Sequence, residues 1–376
     1  MRALHIFTFA IAIFLYVDAL PYDKPKVHTI PLKLRSITRR RISKRAKVSM
    51  PLKHDKGYYG QITFGTGTPQ NFDILFDTGS GALFVMGKNC GSPACNNKPK
   101  YDPDVDRSFN LIEKGDFEID YASGLEIRGD SGKTTIVIAG ISVEAQKFGV
   151  ADKVSDNYDR PLEGVMGMEL IDISGNQQIT PITNLINNKQ LDKPQFSFLL
   201  GREADQSPSE LTIGGSNPDR YHAHTLTFVK LVDDNKGQWE IPIDDLAING
   251  EGTDLEDRTG FIDTGTERIV MPPDDAHKFY FNYIDDAEDN GDGTYKLDCN
   301  ATYKVALVFK GVAWKIDPRD FTVELDKDIC IGAIIYDDNV PELKWVIGSA
   351  FLRNVYTIFD QGNRKIGFAQ LAKNND

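Results

Sequence analysis

The sequence predicts a mostly β, bilobal protein: two related, barrel-like lobes with a cleft between them. Three observations predict it. Short alternating strand signals, punctuated by Gly, Asn and Asp, run through the chain from Tyr58 onward. Helical patterns are few and short. One motif occurs twice: Ile74-Leu75-Phe76-Asp77-Thr78-Gly79-Ser80 returns as Gly260-Phe261-Ile262-Asp263-Thr264-Gly265-Thr266, its aspartates 186 positions apart, about one domain length.

The chain has 376 residues, 40% apolar and 26% charged, an ordinary globular balance with room for two such lobes. Its start is different. Arg2 precedes an apolar run over 6–17, short for a membrane span, and Val17-Asp18-Ala19 has the small residues a signal peptidase prefers. Residues 1–19 read as a signal peptide; a buried first helix or signal anchor is the competing reading. Residues 1–45 hold ten Lys/Arg against two acids, a balance of +8 that leaves −20 for the rest of a chain of net charge −12. Residues 20–45 read as a basic propeptide ending at the dibasic Lys44-Arg45, with the mature chain starting near Ala46; the alternative is a merely solvated basic arm. The acidic body is expected to repel nucleic acid and anionic membranes and to attract its own leader. The polar tail 372–376 lacks a lipid-anchor signal, so no membrane anchor is expected.

Strands are expected at 58–64, 134–138, 196–200, 211–213, 226–231, 303–309, 321–325 and 355–360. Helices are expected at 274–283, with Asp274 as its cap after Pro272-Pro273, and at 181–189. Gly65-Thr66-Gly67-Thr68-Pro69-Gln70 begins like a nucleotide-binding fingerprint. Its third glycine is missing and Pro69 interrupts the helix it would open, so it reads as a hairpin turn. Mostly β with short helices excludes a doubly wound nucleotide fold. The four cysteines allow three pairings. Cys90 with Cys95 closes a small loop and Cys299 with Cys330 staples a strand-rich stretch; the crossed pairings rank lower. With no Cys-x-x-Cys pair and no nearby histidine, no metal site is expected. Asn300-Ala301-Thr302 is a glycosylation acceptor.

The repeated motif carries the chemistry. An apolar strand delivers an aspartate, a glycine lets the chain turn and a second backbone approach, and hydroxyls stand ready to bond the carboxylate. A second echo follows each copy: Leu162-Glu163-Gly164-Val165-Met166-Gly167 and Trp345-Val346-Ile347-Gly348. If two halves in the same order face each other, they bring Asp77 beside Asp263. Close carboxylates cannot both ionise easily; they share a proton, so one serves as base and the other as acid without metal or cofactor.

Those residues resemble the pepsin-like aspartic proteases over about 58–371. The resemblance includes both Asp-Thr-Gly motifs, Tyr121-Ala122-Ser123-Gly124, which matches the family's flap hairpin, and the closing stretch Trp345-Val346-Ile347-Gly348-Ser349-Ala350-Phe351-Leu352-Arg353. In texture the chain looks most like the secreted enzymes of mucor-type fungi. The resemblance implies that Asp77 and Asp263 hold the nucleophilic water. It implies that Thr78 and Thr264 cross-brace the loops, with Gly79 and Gly265 at their turns, and that Ser80 and Thr266 bond the outer carboxylate oxygens. Tyr121, Ser123 and Gly124 then belong to a flap over the substrate. Cys90–Cys95 and Cys299–Cys330 occupy positions where the family forms bridges. With Ala46 first, Asp77 is residue 32 of the mature chain, about where the family places its first aspartate. Three positions depart from the pattern: Phe84 stands where a tryptophan commonly braces the flap tyrosine, Gly81 where a second serine is usual, and Ala122 where glycine is common. Ser123 is uncharged, so acceptance of lysine at the cut site is not expected.

The expected protein is a secreted, monomeric aspartic endopeptidase with an N-terminal lobe at 46–224 and a C-terminal lobe at 225–376. It works on polypeptide substrates in acid, in the extracellular space or a vacuolar or lysosome-like compartment. It is made as a zymogen whose propeptide inhibits it through a base from 33–41, with Lys33 resembling the family pattern. A catalytically inactive peptide-binding protein on the same fold is the alternative. A serine hydrolase is excluded because Ser80 lies outside any Gly-x-Ser-x-Gly elbow, and a zinc protease because no His-Glu-x-x-His occurs.

Overall fold

Alternation becomes sheet through most of the chain. The computed structural model describes residues 28–34, 57–121, 124–156, 158, 163–170, 179–232 and 237–372. The expected signal peptide, the Lys44-Arg45 site, Ala46, Ala122 and Ser123 lie outside them. All eight expected strands are present, and the turn after Phe64 is a hairpin: Tyr58–Phe64 pairs antiparallel with Gln70–Asp77 from Tyr59↔Leu75 to Phe64↔Gln70. The first half adds three long strands in a meander, Asn110–Asp120, Glu126–Ile138 and Ile141–Val154. The second half has a five-stranded sheet around Arg258–Ile262 and Lys344–Ile347, and two four-stranded sheets.

Six neighbouring strands join the halves, in the order Thr227–Lys230, Lys365–Gln370, Val355–Asp360, Gln195–Leu199, Ser209–Ile213 and His28–Leu34. The middle seam pairs Thr357 with Phe198 and Phe359 with Phe196. Phe196 stacks on Phe359 at 4.8 Å, and Trp239 sits edge-on to Phe359 at 5.0 Å. These rings are buried, each contributing about 2–3 kcal/mol, so one apolar core runs across both halves.

His28–Leu34 lies inside the leader read from sequence as a processed arm, so that reading gains a strand. His28–Leu32 pairs with Ile213–Ser209, and Lys33 and Leu34 pair with Tyr59 and Tyr58. Its signal is the period-2 set Ile30, Leu32, Leu34. A second difference concerns the helix Pro273–Tyr283. Its cap is Pro272 and no side chain caps it; Asp274 lies inside the first turn. The helix Pro181–Asn187 is capped by Thr180, whose hydroxyl accepts from the Thr183 N–H at 3.3 Å.

Both disulfides are the sequential ones, Cys90–Cys95 and Cys299–Cys330. The second ties the turn after Tyr295–Leu297 to Ile329–Gly332, where Leu297 faces Cys330; closing 31 residues is worth about 3–4 kcal/mol in chain-entropy terms. Asn300 is exposed in the turn after Cys299, its N–H and Nδ2 both on Asp298 Oδ1 at 2.9 and 3.3 Å. Among the described residues no helix is long and apolar enough to cross a membrane.

Candidate active site

Each half builds its Asp-Thr-Gly loop in the same way. Gln70–Asp77 runs parallel to Gly164–Gly167, with Asp77 opposite Gly167, and Leu83–Met86 returns antiparallel on the far side of that short strand. Arg258–Ile262 runs parallel to Lys344–Ile347, and Ile269–Met271 returns antiparallel on its far side. The loop therefore crosses the end of the middle strand. This explains the echo seen in the sequence: a Cβ on Gly167 would stand 2.6 Å from the Ser80 carbonyl oxygen, and one on Gly348 would overlap the Thr266 carbonyl. Gly167 N–H donates to Ala82 C=O at 2.8 Å and Gly348 N–H to Arg268 C=O at 2.9 Å, pinning both crossings.

The two loops meet and grip each other symmetrically. Thr78 Oγ1 donates to Ile262 C=O at 2.7 Å and accepts from Thr264 N–H at 3.0 Å. Thr264 Oγ1 donates to Phe76 C=O at 2.7 Å and accepts from Thr78 N–H at 3.1 Å. Both threonines are 1% exposed, so these four bonds are made away from water. Ser80 and Thr266 hydroxyls donate to Asp77 Oδ2 and Asp263 Oδ2, each at 2.5 Å. Gly79 and Gly265 N–H groups donate to Asp77 Oδ1 and Asp263 Oδ1 at 2.9 and 2.7 Å. Asp77 and Asp263 are buried, and each carboxylate lies against the glycine of the opposite loop: a Cβ on Gly265 would stand 2.6 Å from Asp77 Cγ, and one on Gly79 2.6 Å from Asp263 Cγ. Burial first, then the neighbouring Asp263 carboxylate, push the Asp77 carboxyl up to about 7.

Tyr121 and Gly124 sit at the tip of the hairpin formed by Asn110–Asp120 and Glu126–Ile138. Tyr121 N–H donates to Leu125 C=O and Gly124 N–H to Tyr121 C=O, both at 2.9 Å. Tyr121 is half-buried against a cluster that includes Phe84, Phe117 and Ile119. Phe84 is fully buried with its ring 6.4 Å from Phe117, so this position supports the hairpin by apolar packing.

Two supporting residues escaped the sequence reading. The Trp239 indole N–H donates to Met168 C=O at 2.8 Å, and Trp239 C=O accepts from Ile262 N–H at 2.9 Å, so one side chain and its backbone link the strands behind both aspartates. Asp275, buried on the second helix, holds Trp345 Nε1 at 2.7 Å and Arg258 Nη2 at 2.6 Å, fixing the pair of strands that carries Asp263. The sequence offered no signal for either beyond an isolated tryptophan and an acid near a helix start.

A family model described as eukaryotic aspartyl protease matches residues 57–371. The chain belongs to the eukaryotic aspartyl protease family. It is similar to cathepsin E-B of Xenopus laevis, 30% identical over 325 residues, covering 84% of this chain and 79% of that one. It is similar to human cathepsin D, 29% identical over 348 residues (85% and 82%), and to rhizopuspepsin of Rhizopus chinensis, 29% over 327 residues (85% and 80%). These near-equal identities do not favour a fungal branch over a vertebrate one. As a pepsin-like aspartyl protease, the chain is an aspartic-type endopeptidase that acts on polypeptides.

Proposed function

We propose that Asp77 and Asp263 hold one water between them and hydrolyse internal peptide bonds with it, in a chain secreted as a zymogen and active in acid. The observation that carries this reading is the meeting of two buried carboxyls with Asp77 held at about 7. A pair that keeps one proton has a base and an acid at once. The ionised member takes a proton from the water, which attacks the peptide carbonyl carbon. The protonated member donates to the carbonyl oxygen, giving a tetrahedral diol. The member that took the water's proton then gives it to the amide nitrogen, the C–N bond breaks to release the amine, and a diol hydroxyl returns its proton to the other member, with no acyl-enzyme. The Ser80 and Thr266 hydroxyls occupy Oδ2 of the two carboxylates, while the Gly79 and Gly265 N–H groups orient each Oδ1, the oxygen nearer the junction of the loops, toward the water. The Tyr121 hairpin closes over the extended peptide and excludes bulk water.

A pH profile tests this. The raised Asp77 carboxyl keeps its proton below about pH 7, so the singly protonated pair fills the window beneath and empties as pH rises through that value. On the acid side activity falls when the remaining carboxylate takes up a proton. The expected kcat/KM profile on a peptide is a bell on the acid side of neutrality. Activity that climbs steadily through pH 8 would overturn the reading.

Zymogen control has its own support. Leader residues 28–34 form a strand in the sheet that joins the halves, and in sequence a leader of charge +8 precedes a body of −20. Protonating body carboxylates at low pH weakens that attraction. The proposed lobes are 46–224 and 225–376, with the boundary taken in the short helical turn Ala223–Thr225. For activation, the purified chain at acid pH is expected to shorten to a product starting near Ala46, whereas Asp77→Asn stays full length. Conversion of that variant by itself would exclude self-processing.

A further inference from the structure

We propose that Arg202, Asp320 and Arg353 form a strut between the halves that positions the Asp263 loop against the Asp77 loop. The inference rests on the dyad reading above. Arg202 follows the strand Gln195–Leu199 of the first half, and Asp320 lies in the short helix Pro318–Phe321 of the second. Arg202 Nε lies 3.0 Å from each Asp320 oxygen. Its Nη2 also donates to Asp320 Oδ2 and, at 2.8 Å, to Asn354 Oδ1. Arg353 Nη1 approaches Asp320 Oδ1 at 3.3 Å and Asn354 Nδ2 donates to Oδ2 at 3.0 Å. Asp320 is 3% exposed and Arg353 7%.

The contacts continue to the catalytic loop. Arg353 Nε donates to Ser349 C=O at 3.0 Å. Ser349 and Ala350 N–H groups donate to Thr266 and Glu267 C=O at 2.8 and 2.9 Å, and the Thr266 hydroxyl is the one on Asp263. The other end is equally fixed: Gly201 C=O accepts from Tyr58 OH at 2.9 Å, and Arg202 N–H donates to Ser207 Oγ at 2.6 Å.

Burying an ion pair costs desolvation energy, so its net contribution to stability is small, while the fork of an arginine on a carboxylate fixes distance and orientation. That favours positioning over stabilisation. A nearby pair of reversed polarity, Asp205 with Arg319 at 2.7 Å, has side chains 34% and 59% exposed and does not reach the catalytic loop. It serves as the control.

The test uses the activated enzyme, with kcat, KM and the pH profile measured on one peptide. In Arg202→Met, kcat is expected to fall about tenfold with KM within about twofold. The alkaline limb of kcat/KM is expected about half a pH unit lower, because carboxyls held farther apart repel less and Asp77 gives up its proton sooner. Arg202→Lys keeps the charge, loses the fork and is expected to shift the limb in the same direction by less; it decides the matter should the methionine variant not fold. Asp205→Ala, which removes the exposed pair and leaves the Arg319–Asp317 contact in place, is expected to match wild type in kcat and limb. Wild-type kcat and limb in both Arg202 variants would overturn the strut, even with a lowered melting temperature, since a merely structural pair moves only the latter. If Asp77→Asn is inactive while the Arg202 variants behave as wild type, the strut alone falls; if Asp77→Asn is active, the dyad falls.

Discussion

Asp77→Asn and Asp263→Asn are each expected to lower kcat by at least about 10³-fold, because each removes one partner of a general acid–base pair. Asparagine keeps the shape. Its Oδ1 still accepts from the N–H of Gly79 or Gly265, and its Nδ2 faces the hydroxyl of Ser80 or Thr266. What it loses is the ability to take or give a proton. The fold is expected to survive, and for Asp77→Asn to gain at neutral pH. The sign follows from the titration. Asp77 is raised in the folded chain from 3.8 to about 7, so between those values the folded state keeps a proton that the unfolded state has released. Wild-type stability therefore falls as pH rises through that window, and asparagine removes the loss. The variant is expected to be more stable than wild type by about 1–4 kcal/mol at pH 7.5, with little difference near pH 3. The upper end follows from about 1.4 kcal/mol for each tenfold change in proton affinity, and the lower end allows for the proton being shared with Asp263. Peptide cleavage and thermal melts at the two pH values check both halves of the expectation. Full activity in either variant would remove that aspartate from the mechanism.

The site was legible in the sequence because its parts are local and repeated. A strand, an aspartate, a turn and a glycine all lie within seven residues, twice. The echoing glycines at 167 and 348 were visible too, although their reason, the loop crossing over them, needed three dimensions. The strands were legible from period-2 alternation. What stayed hidden depends on partners far along the chain. Asp275 looks like a helix-start acid, yet its carboxylate is committed to Trp345, 70 positions away. Trp239 reaches back 71 positions to Met168. Arg202 and Asp320 are 118 positions apart, and either alone reads as an ordinary surface charge. The leader strand was left inside the propeptide for a different reason: its alternation, Ile30, Leu32 and Leu34, is only three apolar residues long and is set among bases and prolines.

Gly265→Ala isolates geometry from chemistry. Neither Gly79 nor Gly265 sits at a backbone angle that excludes a side chain, so alanine brings no backbone strain and removes some freedom from the unfolded chain. The obstacle is space. A Cβ at 265 would lie 2.6 Å from Asp77 Cγ and overlap its Oδ1; a Cβ at 79 would lie 2.6 Å from Asp263 Cγ. Each glycine is thus pressed against the carboxylate of the opposite half. The Thr78–Thr264 grip and the buried core hold both loops, so the carboxylate is the part that must move. A displacement approaching 1 Å at the reacting groups costs about 10²-fold in rate, and that fall in kcat is expected for Gly265→Ala and, by symmetry, for Gly79→Ala. KM should change little, since the peptide's remaining contacts are untouched. Circular dichroism should match wild type. An alanine variant within threefold of wild-type kcat would mean that the two carboxyls tolerate misplacement, and the tight apposition of the loops would then lose its role in catalysis.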